Sequence, residues 1–211
     1  MQQLVIEYVF EGHQRGYNIT SATNGLDQTT LKTIWRRAMP RGQGWGRYIG
    51  ARALKCFPLD DGLVAVSEVT VTDQRDESDR AGIRRAVIDL MDRRDYLAYL
   101  DNRLLNLPPE VRVQVDRLPS FTQRAKIMNR ALPGVNKNPQ MILSYPYTNP
   151  HHWLVIEGLV LKLALSPIGP MRRWGRVIPF TTLALDYREE SLLVVLPESK
   201  ARTIKPPVLS L

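Results

Sequence analysis

The sequence contains a single cysteine, Cys56, in 211 residues. One thiol excludes an internal disulfide framework. There is no Cys-x-x-Cys and no His-Glu-x-x-His, so no zinc motif is written in the chain. Long hydrophobic runs are also missing. The longest, Trp153 to Leu165, includes Glu157 and Lys162 and is too short to span a bilayer. Residues Met1 to Glu7 lack the cationic and apolar regions of a secretory signal, so a cytoplasmic location is expected. Internal repeats and low-complexity tracts are absent.

What is present is ordinary globular material, with 44% hydrophobic and 24% charged residues. The length suits one large domain with a substantial core. The charge is lopsided: 29 Lys and Arg against 21 Asp and Glu give a net +8. Most of the bases are arginine, whose planar fork suits phosphate or carboxylate. Such a balance is compatible with nucleic acid, a nucleotide or an acidic protein surface.

Strand signals dominate both ends. Leu4 to Phe10 and Tyr17 to Ser21 predict an N-terminal hairpin around Gly12 to Gly16. Asp27 or Thr29 caps a helix whose apolar face is Leu31, Ile34, Trp35 and Ala38, stopped by Pro40. Arg41 to Gly50 reads as a glycine-rich connecting loop. Ala53 to Leu59 and Leu63 to Thr72, joined by Asp60-Asp61-Gly62, predict a second hairpin. After a polar loop, Arg84 to Asp89 predicts a strand.

The period then lengthens. Tyr96, Leu97, Leu100, Leu104 and Leu107 predict a helix before Pro108-Pro109. Shorter helical pieces follow at Val111 to Leu118 and Phe121 to Leu132, then a strand at Met141 to Tyr147. His151 to Leu165, apolar nearly all round, predicts a buried helix. Val177 to Tyr187 and Leu192 to Leu196 predict a terminal hairpin. The pattern is α+β: strand-rich ends around a helical middle, with a mixed sheet packed by helices. Residues 1–200 form a single domain with a helical insertion at about 93–139; residues 201–211 are a tail.

From Gln28 to Pro58 there is no Asp or Glu. The stretch holds Lys32, Arg36, Arg37, Arg41, Arg47, Arg52 and Lys55 with Trp35, Trp45, Tyr48 and Phe57. Cations neutralise phosphates and aromatic faces stack on bases, so Lys32, Arg36, Arg37, Arg41, Trp45, Arg47, Tyr48 and Arg52 are the candidate partner- or phosphate-binding residues. Against this stands a plain alternative, in which solvated arginines flank core aromatics. The glycines at 42, 44, 46 and 50 lack both the Gly-Lys-Ser/Thr ending of a P-loop and the order of a dinucleotide fingerprint.

Catalytic candidates are weak. His13 lies beside Arg15 with no Ser, Cys or carboxylate nearby to complete a unit. His151 and His152 diverge by about 100° on a helix and do not face one metal. Asp73, Asp76, Glu77 and Asp79 offer oxygen ligands at spacings unlike an EF-hand. Cys56, in an apolar strand, reads as a buried inert thiol. No catalytic residue, metal or cofactor is expected, and the balance leans away from an enzyme.

Three stretches in order resemble the N-terminal domain of bacterial GTPase-associated proteins. The first is Gly12 to Leu26, which contains His13, Arg15, Gly16 and Tyr17. Next comes Asp73 to Asp89, with Arg80-Ala81-Gly82-Ile83. The third is the helix Trp153 to Leu165 followed by Met171-Arg172-Arg173 and Pro179-Phe180-Thr181-Thr182. The first glycine of the family's Gly-Arg-x-Gly is missing before Arg80, and Val87-Ile88 occupy the place of its histidine. The resemblance implies a non-enzymatic adaptor or scaffold subunit of a multicomponent bacterial conflict or antiviral defence system, binding a partner protein such as a GTPase or an effector. The alternative is a nucleic-acid-binding subunit using residues 28–58. A third reading is a metal-independent nuclease or hydrolase around His13 and Arg15.

Overall fold

The computed structural model describes residues 2–10, 15–22, 25–59, 62–117, 141–165, 177–186, 188, 190–203 and 208–210. Strands β1 (Gln2–Val9) and β2 (Gly16–Ala22) pair antiparallel, with a register shift at Val5/Ile6. Helix α1 (Gln28–Arg37) follows; the Asp27 carboxylate caps it by accepting from the amides of Thr29 and Thr30 at 2.7 and 2.9 Å. A 3-10 turn at Trp45–Tyr48 interrupts the glycine-rich loop. Strands β3 (Arg52–Pro58) and β4 (Leu63–Val71) form the second expected hairpin. Strand β5 (Arg84–Asp92) lies between β4 and β1.

Asp92 ends β5 and caps α2 (Arg93–Leu105). Next come α3 (Pro109–Arg117), β6 (Met141–Tyr145) and α4 (Pro150–Leu165). The chain continues with β7 (Phe180–Thr181), β8 (Leu193–Pro197), α5 (Glu198–Ala201) and β9 (Val208–Ser210). Among the described residues one nine-stranded sheet runs in the order β2-β1-β5-β4-β3-β7-β8-β6-β9. Its first five strands are antiparallel neighbours, and β7, β8, β6 and β9 are parallel. This is the α+β fold with a mixed sheet.

Period-2 alternation assigns the two faces of the sheet. Leu54 and Cys56 of β3 and Val64 and Val66 of β4 meet α2, α3 and α4. Ala53, Phe57, Ala65, Val69 and Val71 point the other way, toward α1 and Trp45. Strands covered on both faces read as near-continuous apolar runs, as 53–59 does. Each fully buried Leu, Ile or Phe contributes about 1.5–3 kcal/mol of transfer free energy, so helix layers on both faces anchor the centre of the sheet. On the α2 side, Gly158 lets α4 approach α3; a Cβ there would meet Val115 and Leu107 side chains at 2.8 and 2.9 Å.

The terminal hairpin is not formed. Among the described residues of 177–187, only Phe180 and Thr181 are extended in sheet register, and β7 runs parallel to β8. Beyond Thr181 the backbone bonds to scattered partners instead of one neighbour. Thr182 pairs with Leu54, the Ala184 amide donates to Val195, and the Leu185 amide donates to Arg41. Strand β6 ends at Tyr145, two residues short of expectation. The tail contributes β9, which lies parallel to β6. Phe121 to Leu132 and Met171 to Arg173 fall outside the described residues.

Candidate functional site

Arg84 opens β5 on the α1 face, in phase with Ala86, Ile88 and Leu90 of that core. A cation at a core-facing position needs partners, and aromatic rings supply them. Its guanidinium carbon sits 4.9 Å from the Trp45 ring centroid and 5.5 Å from that of Tyr17. Nη1 donates to the Pro40 carbonyl at 2.5 Å, while the Arg84 amide donates to the Tyr17 hydroxyl at 3.0 Å. Nε is buried with no hydrogen-bond partner among the described residues. No carboxylate among them pairs with this guanidinium.

Gly82 makes the platform possible. Its φ is +91°, and a Cβ there would lie 2.3 Å from the Gly46 nitrogen and 2.4 Å from the Trp45 carbonyl carbon. Backbone therefore packs on backbone where 45–46 crosses 81–82, and this sets the indole beneath Arg84. Trp45 is further fixed by an Nε1 hydrogen bond to the Gly42 carbonyl, 2.9 Å. Tyr17 and Gly82, which carry the resemblance, thus converge on Arg84.

Beyond this platform lies a cleft of about 690 Å³ between residues 39–43 and Leu185, Asp186 and Arg188. Its charged lining is Arg41, Arg84, Arg188, Lys200 and Asp186. The Leu185 amide bonds to the Arg41 carbonyl at 3.0 Å, closing the floor. Gly42, at φ +118°, lies so near Leu185 that a Cβ would meet that side chain at 2.5 Å. Asp186 is bound by Arg188 through both Nε and Nη2, the latter at 2.6 Å. These hydrogen bonds hold its carboxyl below the ordinary value of 3.8, against the opposing effect of burial. Arg41 pairs with Glu190, which also lies 3.6 Å from Arg37.

The eight basic and aromatic candidates have different surroundings. Arg37 lies over Phe57 at 5.0 Å and donates to Pro58. Arg52 pairs with Glu68 on the neighbouring strand. Lys32, Arg36 and Arg47 are exposed, and none forms an ion pair among the described residues. Tyr48 is half-buried. Trp45 is only 5% exposed, so it is a core residue beneath Arg84 rather than an open stacking face. Within the acid-free stretch, Arg37 and Arg41 meet Glu190 and Arg52 meets Glu68, both acids coming from elsewhere in the chain.

Of the motif residues, His13 lies outside the described residues. Arg15 is exposed, 3.7 Å from Glu77. Gly16 takes a φ of +110° where β2 begins. Arg80 closes on Asp76 at 2.8 Å. Asp76 itself accepts from the amides of Ser78 and Arg80, and Asp79 adopts φ +57°, so these acids shape a tight turn. Among the described residues no three His, Cys, Asp or Glu side chains cluster as a metal site requires. His151 contacts Gln114 and His152 contacts Thr148, each at 3.0 Å. Cys56 is fully buried and its thiol is pushed up to about 12 by burial.

A second charged feature was half-visible in the sequence as Glu157 in an apolar helix. Arg103 of α2 donates Nε to Glu157 at 2.5 Å and Nη2 to Glu68 at 2.8 Å, beside a cavity of about 560 Å³. Burial alone would lower the Arg103 pKa, and the two carboxylates more than reverse that. Burial likewise raises Glu68, yet Arg103 and Arg52 bring it below its ordinary 4.5. Two cations and two anions satisfy one another, so this network joins α2, α4, β3 and β4 without leaving an unsatisfied charge.

No family model, no curated protein and no solved structure matches the chain. Among the described residues, no helix is long and apolar enough to cross a membrane.

Proposed function

We propose that the chain is a non-enzymatic adaptor that docks an acidic surface of a partner protein through the basic cleft beside α1. The supporting observation is Arg84: a partly buried guanidinium, held in place by Trp45 and Tyr17, that lines an open cleft without a carboxylate among the described residues. Ordering a cation without a counter-charge costs stability that an incoming anion returns. The resemblance supplies the setting, a multicomponent bacterial conflict or defence system in the cytoplasm, with a GTPase or effector as partner.

Nucleic-acid binding is the alternative. It draws on the exposed Lys32, Arg36 and Arg47, but it loses Trp45 as a base-stacking face. Affinity capture of the tagged chain from its native host separates the two. The adaptor reading expects a defined protein partner that survives nuclease treatment and is lost in Lys200→Glu. A partner released by nuclease, or one retained equally by Lys200→Glu, sinks it.

A further inference from the structure

We infer that the group recognised in the basic cleft is a phosphoryl monoester dianion, carried by a phosphorylated serine or threonine side chain of the partner; this rests on the docking reading above. The cleft holds four cations. Two of them, Arg41 and Arg188, already face carboxylates, those of Glu190 and Asp186. Arg84 and Lys200 face none among the described residues. Among the described residues the uncompensated charge is therefore two, which matches the −1.5 to −2 of a phosphoryl group at about pH 7. A single carboxylate would neutralise only half of it.

The donors also suit the shape. Arg84 has one arm of its fork tied to Pro40 and its plane fixed by two rings, so Nη2 remains as an oriented donor. Little side-chain entropy is left for it to lose on binding. Lys200, on the short helix α5 across the cleft, adds a compact charge with three donors. Among the described residues no aromatic side chain lines the cleft, so none of them offers a nucleobase a stacking platform. A phosphate on a peptide side chain needs none.

The test titrates the whole chain with O-phospho-L-serine, L-glutamate, adenosine monophosphate and poly-L-glutamate at constant ionic strength, followed by NMR. Phosphoserine is expected to bind saturably and about ten-fold tighter than glutamate, as a second charge-assisted contact implies. Its affinity is expected to fall as pH drops through its second ionisation near about 6. Lys200→Gln, remote from the Trp45 platform, is expected to lose roughly ten-fold with an unchanged circular dichroism spectrum; Arg84→Lys keeps the charge, loses the fork and is expected to weaken binding less.

Phosphoserine binding no tighter than glutamate, indifferent to pH, or unchanged in Lys200→Gln overturns the inference. If poly-glutamate still binds the wild type and is lost in Lys200→Gln while phosphoserine shows none of these effects, acidic docking stands and the phosphoryl assignment falls. If neither ligand binds, both fall. Adenosine monophosphate binding far more tightly than phosphoserine shows that a base is being read, and this too overturns the assignment.

Discussion

Arg103 on α2 and Glu157 on α4 meet at 2.5 Å, and the carboxylate side chain is only 9% exposed. A charge so deep in an apolar helix is tolerated because its counter-charge is delivered from another helix. Arg103→Ala strands Glu157 and is expected to destabilise the fold by about 3–5 kcal/mol. The double variant Arg103→Met/Glu157→Leu is expected to recover most of that loss. Urea unfolding of the three proteins measures it, and equal loss in single and double variants would refute the pairing.

Glu68 titrates below its ordinary 4.5 in the folded protein. A depressed folded pKa contributes stability that is fully present above the unfolded value. It is then lost as pH falls through the folded one. The stability gap between wild type and Glu68→Gln is therefore expected to be constant at neutral pH and to close below pH 4.5. Chemical denaturation at a series of acid pH values checks this; a gap that widens in acid contradicts it.

Gly82→Ala forces a Cβ into the backbone of Trp45 and Gly46. Loss of more than about 1 kcal/mol is expected, since both the positive φ and the close approach oppose a side chain. Displacement of Trp45 should accompany it, visible as a changed indole emission. Gly44→Ala, also at positive φ but with nothing within 4 Å, isolates the backbone contribution.

The Cys56 thiol, fully buried and pushed up to about 12, is expected to resist thiol reagents in the native protein at pH 8. Stoichiometric labelling should appear only on adding denaturant. Rapid labelling without denaturant would place the thiol at the surface.

Much of the architecture could be read locally. The Asp27 cap, the two N-terminal hairpins and the buried helix of 150–165 each declare themselves by capping or periodicity within a short window. Strand β7 could not, because two residues carry no period and its antiparallel neighbour β3, with Lys55 opposite Thr181, lies far off in sequence. The cleft suffered similarly, since Arg84, Arg188 and Lys200 come from three separate segments. One signal was available: Arg84 shares its parity with Ala86 and Ile88, which marks it as an inward-facing cation. The pairing of Arg37, Arg41 and Arg52 was not legible in the acid-free run from 28 to 58, because Glu68 and Glu190 arrive from outside it.

Strand β6 pairs with β8 and β9, both later in the chain, while β1 to β5 find all their partners but β7, which pairs with β3, within the first 92 residues. A ribosome therefore releases a nearly self-sufficient antiparallel meander long before the parallel half has any partner. The basic cleft has one wall in each half. An unfinished or nicked chain would carry Arg84 and its platform but not Lys200. Under the proposed docking mode, binding would thus require that synthesis has reached α5.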